Sequence, residues 1–364
     1  MSPTPTNPEP EPRFAPYVPG TPEEDMPAME GGEKPLKLAS NENPLGPSPK
    51  ALEAAHKALL QTHRYPEGSG RMLREALSSR WKFPAEQILL GNGSTEIVEM
   101  LARVFVGMSG CAVAATPSFV MYRIAVLAAG GQCREVPLKN DHFDLQAMAR
   151  ACGESASVVY IANPNNPTGT YSTQTDLEDY FRVVPDSVLT VLDEAYGEYL
   201  ERPDYPSGAE FLRQGRRIIV LRTFSKAYGL AGMRMGYALA SRDVVADLER
   251  CRSPFNTSRV AQAAALAALG DDEHLRRSRE SNRLGLQFLQ QALESHGIRF
   301  TPSVANFLLV HCEGDAKPAY EALLQEGIIT RPMEPYGLPN ALRITVGTEP
   351  ENRRLLAALL RVFG

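Results

Sequence analysis

Between residues 51 and 260, short apolar runs alternate with stretches whose apolar positions recur at helical spacing. That alternation predicts an α/β fold with a mostly parallel central sheet flanked by helices. Five runs share one property: each leads directly into polar or aromatic residues. Gln87–Leu90 precedes Gly91-Asn92-Gly93-Ser94-Thr95, and Cys111–Ala115 precedes Thr116-Pro117-Ser118-Phe119. Val158–Ala162 precedes Asn163-Pro164-Asn165-Asn166-Pro167-Thr168-Gly169, and Val188–Leu192 precedes Asp193-Glu194-Ala195-Tyr196. Ile218–Leu221 precedes Arg222-Thr223-Phe224-Ser225-Lys226. Open parallel sheets bind ligands outside the carboxyl ends of their strands, so these segments are expected to converge on one crevice.

After residue 260 the pattern changes. Residues 260–295 read as a long helical stretch, Asn306–Val310 and Leu342–Val346 as strands, and Glu351–Val362 as a closing helix. The expected organisation is a flexible Pro-rich arm over 1–33, a segment over 34–50 that joins the small domain, a large domain over 51–260, and a small α+β domain over 261–364.

Composition narrows the function classes. The chain has 364 residues, 43% hydrophobic and 22% charged, with a net charge of -5, so nothing in its electrostatics calls for nucleic acid or an anionic membrane. No apolar run approaches the ~18 residues of a membrane span. The first residues lack the basic and apolar regions of a signal peptide. The five cysteines are scattered without a C-x-x-C pair, which suggests reduced thiols in the cytoplasm. The six histidines form no metal-ligand spacing, so no metal is expected.

Lysine is scarce, and Lys226 alone follows an apolar run with hydroxyls beside it. Thr223 and Ser225 precede it and Arg234 follows, a set able to anchor the phosphate of an aldehyde-bearing ester. Pyridoxal 5′-phosphate (PLP) is the ester that fits, while a bare Ser-Lys pair also suits an exposed loop. Thr95–Phe105 has helical apolar spacing, with Ser94 or Thr95 as its cap and glycines that let an anion approach. Asp193, at a strand end, suits a protonated pyridine nitrogen or, more plainly, a helix cap. Asn166 and Tyr196 offer donors for a phenolate oxygen, although Asn166 also suits a turn. Phe119 suits a ring-stacking position or the core. Arg343, in an expected strand, and Arg331 before it suit an anion clamp or a surface ion pair.

With these residues in place, the chain resembles the fold-type I PLP aminotransferases, and among them the histidinol-phosphate aminotransferase family. The resemblance runs from Ala15 to the C-terminus. It is carried by Lys37-Leu38-Ala39-Ser40-Asn41-Glu42-Asn43-Pro44-Leu45-Gly46, Arg64-Tyr65-Pro66, Asn163–Gly169, Asp193–Tyr196 and Leu342–Gly347. It implies Lys226 as the lysine that condenses with the cofactor and then moves the proton. It implies Asp193 at the pyridine nitrogen, Asn166 and Tyr196 at the ring oxygen, and Phe119 on the ring. Ser94, Thr95, Thr223, Ser225 and Arg234 would hold the phosphate, and Tyr65 would reach the neighbouring subunit's phosphate in a homodimer. Arg343 would clamp the substrate anion, with Arg331, Asn43 and Tyr17 as further substrate contacts. The implied reaction takes L-histidinol phosphate as amino donor and 2-oxoglutarate as 2-oxo acid acceptor. The alternatives are an aromatic-amino-acid aminotransferase, an enzyme like the threonine-phosphate decarboxylases, and a non-catalytic PLP-binding sensor.

Overall fold

The computed structural model describes residues 20–22 and 34–364. Tyr17 and most of the arm expected over 1–33 lie outside the described residues. In chain order the strands of the first two-thirds are β1 (Leu36–Lys37), β2 (Ile88–Gly91), β3 (Cys111–Thr116), β4 (Gln132–Pro137), β5 (Ala156–Ala162), β6 (Leu189–Asp193), β7 (Ile218–Thr223) and β8 (Gly236–Leu239). The remainder are β9 (Phe300–Thr301), β10 (Phe307–His311), β11 (Ile328–Ile329), β12 (Arg331–Pro332) and β13 (Ala341–Thr345).

The large sheet has the order β2-β8-β7-β6-β5-β3-β4. The five runs singled out in the sequence are β2, β3, β5, β6 and β7. β8 runs antiparallel to both β2 and β7, so the sheet is mixed, with its other six strands pointing one way. The central strands read as unbroken apolar runs because both faces are covered. On β5, Val159 and Ile161 enter one core while Val158, Tyr160 and Ala162 enter the other.

The smaller sheet has the order β12-β13-β10-β9, with β1 and β11 paired beside it. The helices Asp272–Ser295 and Glu349–Phe363 bury Leu286, Leu289, Leu293, Leu355 and Leu359 against Leu308 and Ile344 of this sheet. The stretch over 260–295 is two helices rather than one, Arg259–Leu269 and Asp272–Ser295. The chain breaks at Gly270–Asp271, where the Asp271 carboxylate accepts from Ser48 Oγ at 2.7 Å and meets Lys50 Nζ at 3.4 Å. The segment after β1 ties β11 to the small sheet: Leu38 N donates to Ile329 O of β11, and Thr345 N of β13 donates to Leu38 O, each at 2.8 Å.

One local expectation is corrected. The helix after β2 spans Gly93–Leu101, so Ser94 and Thr95 lie inside its first turn and do not cap it. The preceding Asn92 makes no side-chain cap, and its N–H donates to Glu96 Oε2 at 2.6 Å. The early start follows from Gly93, whose φ of 72° would be strained for a residue with a Cβ.

Candidate active site

The carboxyl ends of β5, β6 and β7 and the turn after β2 meet in one cavity under the N-terminal segment. Of the residues expected at the site, Ser94, Thr95, Phe119, Asn166, Asp193, Tyr196, Thr223, Ser225, Lys226, Arg234, Arg331 and Arg343 all line it.

Lys226 lies just beyond β7, and its Nζ donates to Ser40 O at 3.0 Å. Desolvation, reinforced by the Arg343 guanidinium, lowers the amine from 10.5 to about 7. A large neutral fraction near neutral pH follows, as a nucleophilic amine requires.

Asp193 closes β6 and is buried. Tyr122 donates its hydroxyl to Oδ2 at 2.9 Å, and Ala195 N donates to Oδ1 at 3.1 Å. Burial outweighs these two bonds and raises the carboxyl to about 6. An acid held so far above its usual range would be stabilised as the anion by a cation placed beside it. Tyr122 was missed by sequence reasoning. It lies three residues beyond Phe119, at the start of the helix Met121–Ala128, and only that i, i+3 relation could have pointed to it.

On the far side of the cavity is an anion cup. The first turn of the helix Gly93–Leu101 presents the N–H groups of Ser94 and Thr95, which lack intrahelical partners by position. Arg234 Nη1 donates to Ser225 Oγ at 3.3 Å and to Ala231 O at 3.1 Å. The cup depends on glycine: a Cβ at Gly93 would sit 2.5 Å from Arg234 Nη2, and one at Gly236 would sit 2.5 Å from Ser94 N. Thr223 Oγ1 accepts from Ser225 N at 3.1 Å, which fixes the turn into Lys226.

Arg343 on β13 is buried. Its Nη1 donates to Asn166 Oδ1 at 2.5 Å and its Nη2 to Ala39 O at 2.7 Å. Among the described residues its Nε is buried with no hydrogen-bond partner, a donor available to an anion. Arg331 pairs with Arg343 in register across β12 and β13. Tyr196 is held edge-on to Phe307 with ring centroids 5.1 Å apart.

Two expected contacts lie elsewhere. Asn43 turns away from the cavity: its Nδ2 donates to Ala227 O at 2.9 Å and to Ser278 Oγ at 2.8 Å, and its Oδ1 accepts from Leu45 N at 3.0 Å. With these bonds made it braces a turn and has little left for a substrate. Asn41, two residues earlier, lines the cavity in its place. Tyr65 is 76% exposed and stacks on Phe255 with centroids 4.5 Å apart, outside this chain's own cavity.

An amine lowered toward neutrality, a carboxylate short of a cation and an anion cup meet at the carboxyl ends of a mixed α/β sheet, an arrangement that suits a PLP-dependent transferase. The model of the family described as aminotransferase class I and II matches residues 33–359. A histidinol-phosphate aminotransferase of Anaeromyxobacter sp. is 46% identical over 353 residues, covering 96% of this chain and 97% of the relative. Histidinol-phosphate aminotransferase 2 of Pseudomonas fluorescens is 47% identical over 355 residues, covering 96% and 95%. The crystal structure of histidinol-phosphate aminotransferase from Sinorhizobium meliloti in complex with pyridoxal-5′-phosphate aligns with a TM-score of 0.84 at 30% identity, covering 90% of each chain. The chain belongs to the histidinol-phosphate aminotransferase family of class I and II aminotransferases.

The residues present fit PLP. The cup offers backbone N–H groups, hydroxyls and a guanidinium for a phosphate, Lys226 offers an amine for an aldehyde, and Asp193 offers the missing partner for a pyridinium.

Proposed function

We propose that this enzyme transfers the amino group of L-histidinol phosphate to 2-oxoglutarate, giving imidazole-acetol phosphate and L-glutamate, a step of histidine biosynthesis. The observation that carries the reading is the juxtaposition of Lys226, its amine lowered to about 7, with Asp193 and the anion cup in one cavity. The choice of substrate rests on full-length relatives that bear this activity's name.

The chemistry PLP supplies when bound is an aldehyde that exchanges between amines and a ring that withdraws electrons from the carbon being deprotonated. The protein's residues divide the remaining work. Asp193 holds the proton on the pyridine nitrogen. Asn166 and Tyr196 donate to the ring oxygen, and Phe119 covers a ring face. Ser94, Thr95, Thr223, Ser225 and Arg234 fix the phosphate. Lys226 Nζ would hold the cofactor's aldehyde carbon and would serve as the base that moves the proton of the substrate carbon. Arg343 clamps the phosphate of one substrate and a carboxylate of the other, with Arg331 beside it. Arg343 Nη1 already donates to Asn166 Oδ1, so the clamp also steadies the amide that would serve the ring oxygen, while its Nε is left for an anion.

We also propose a cytoplasmic homodimer in which Tyr65 reaches the partner's phosphate. Unpaired cysteines support a reducing compartment. Among the described residues, no helix is long and apolar enough to cross a membrane.

The test is direct. Purified protein incubated with PLP should develop a visible absorbance band, and borohydride should fix the cofactor on Lys226. Lys226→Ala should lose at least about 10³-fold in turnover. In half-reactions, kcat/KM for histidinol phosphate should exceed that for phenylalanine, tyrosine and aspartate by about 10² or more. A free aromatic amino acid in first place would overturn the substrate assignment.

A further inference from the structure

The cavity is also lined by Asn41, a side chain with no part in the proposed function. Asn41 is 1% exposed and holds a left-handed backbone with φ 55°. Its main chain is fixed to the small sheet and its neighbours, with Asn41 N donating to Thr345 Oγ1 at 2.9 Å and Asn306 Nδ2 donating to Asn41 O at 3.0 Å. Its side chain crosses the cleft, where Nδ2 donates to Tyr196 Oη at 3.0 Å.

The surrounding bonds determine which way the amide faces. Thr345 Oγ1 already accepts from Asn41 N, so its own proton goes to Asn41 Oδ1 at 3.3 Å. That assigns the amide oxygen to Thr345 and the NH₂ to Tyr196. A phenol has one proton and two lone pairs. With Asn41 donating into the oxygen, the hydroxyl proton has to point elsewhere, and the cavity lies on its open side.

We propose that Asn41 is a positioning residue that orients the Tyr196 hydroxyl as a donor toward the cofactor's ring oxygen. This rests on the PLP reading above. A donor bonded to another donor's oxygen also strengthens it, so Asn41 makes Tyr196 the better hydrogen-bond acid. The Asn41 bond already works against burial in holding down the Tyr196 phenol, which stands raised to about 12. Through this one bond, docking of the N-terminal segment on the small sheet sets how strongly the ring oxygen is held.

The experiment is a spectroscopic pH titration of the PLP-loaded protein. The nitrogen shared by Lys226 and the cofactor gives up its proton more readily when a donor steadies negative charge on the ring oxygen. Loss of the Asn41 amide should therefore raise the midpoint. Asn41→Gly keeps the left-handed backbone and removes the side chain, and is expected to raise it by about half a pH unit. Asn41→Asp keeps shape and backbone but only accepts, turning the Tyr196 proton away from the ring, so a rise of about one unit or more is expected. The other titratable and charged groups around Tyr196 and Lys226, namely Arg343, Asp193, Tyr336, Glu42 and Arg234, are unchanged in these proteins. In a Tyr196→Phe background the Asn41→Gly shift should vanish, because its relay is gone.

An unchanged midpoint in Asn41→Gly, or the same shift with and without the Tyr196 hydroxyl, would overturn the proposal. Failure of the unsubstituted protein to form a band at all would overturn the PLP reading instead.

Discussion

At the scale of single residues, the fold holds the Asp193 carboxylate where one hydroxyl and one amide replace water, and its acid rises to about 6. The sign of the consequence follows from linkage. An unfolded aspartate titrates near 3.8, so between about 4 and 6 the folded state binds the extra proton and stability falls as pH rises. The loss is complete above about pH 6. Asp193→Asn keeps the shape and removes the charge, so the cofactor-free variant should be more stable than its parent at pH 7.5 by about 1–3 kcal/mol. That gain should fade below about pH 4. Urea unfolding of both cofactor-free proteins across pH measures it, and a less stable variant at pH 7.5 would reject the account. The same variant should bind PLP poorly, since the amide cannot pair with a pyridinium. Asp193 and Lys226 were legible in the sequence because each is a charged group at the end of an apolar run, where few structural roles suit it. Asn41 was not, because a turn rich in asparagine gives no sign of which one faces the cleft. The decision rests on the backbone, left-handed at Asn41, and on the bonds that turn Asn43 inward.

Among the elements, β6 and β7 must end in register for Asp193 and Lys226 to share one cavity, and a buried ion cluster joins them. Arg222 of β7 donates Nη1 to Glu198 at 2.9 Å and Nη2 to Glu194, and its guanidinium lies 4.7 Å from the Trp81 ring centroid. Glu194 Oε1 also accepts from Gly208 N at 2.9 Å. Removing the cation alone strands two carboxylates in the core. Arg222→Met should therefore cost about 3–5 kcal/mol, while adding Glu194→Gln and Glu198→Gln to it should recover part of the loss. Denaturant unfolding of the single and triple variants compares them, and equal stabilities would remove the cluster from its structural role. The sequence showed the five ligand-facing strands because both their faces are buried. It did not show β4 and β8, for different reasons. β4 is an edge strand whose side chains are largely in contact with solvent, so it carries no apolar run. β8 is four residues long and follows directly on the loop that bears Arg234, so its antiparallel direction depends on where that loop turns.

For the whole molecule, the mostly parallel large sheet was readable because its apolar runs recur between helical stretches, and β10 and β13 were readable as apolar runs, whereas their antiparallel pairing was not. How copies of the chain would meet is an expectation that rests only on the resemblance of Arg64-Tyr65-Pro66, since an apolar residue on a partner surface looks like any other in a string. One feature of the surface supports the proposed homodimer. Leu59, Leu60, Tyr65 and Met72 are all exposed, from the helix Pro49–Leu59 through the start of Arg71–Trp81, with Leu60 at 81%. Phe255 joins this face through its stack on Tyr65. Exposed apolar groups this close together in the sequence support the proposed interface between copies, in which a two-fold axis would make each copy's surface meet the other's. If Tyr65 serves the partner's site, the defects of Lys226→Ala and Tyr65→Ala lie in different sites of a mixed dimer. One site then has a damaged lysine and a damaged tyrosine, and the other is intact. Unfolding and refolding an equal mixture of the two inactive proteins makes half the dimers mixed, each with one intact site. Activity should rise to about a quarter of the native value per chain. If each chain instead used its own Tyr65, the mixture would only average its parents, and the refolded sample would gain nothing over the two proteins assayed apart.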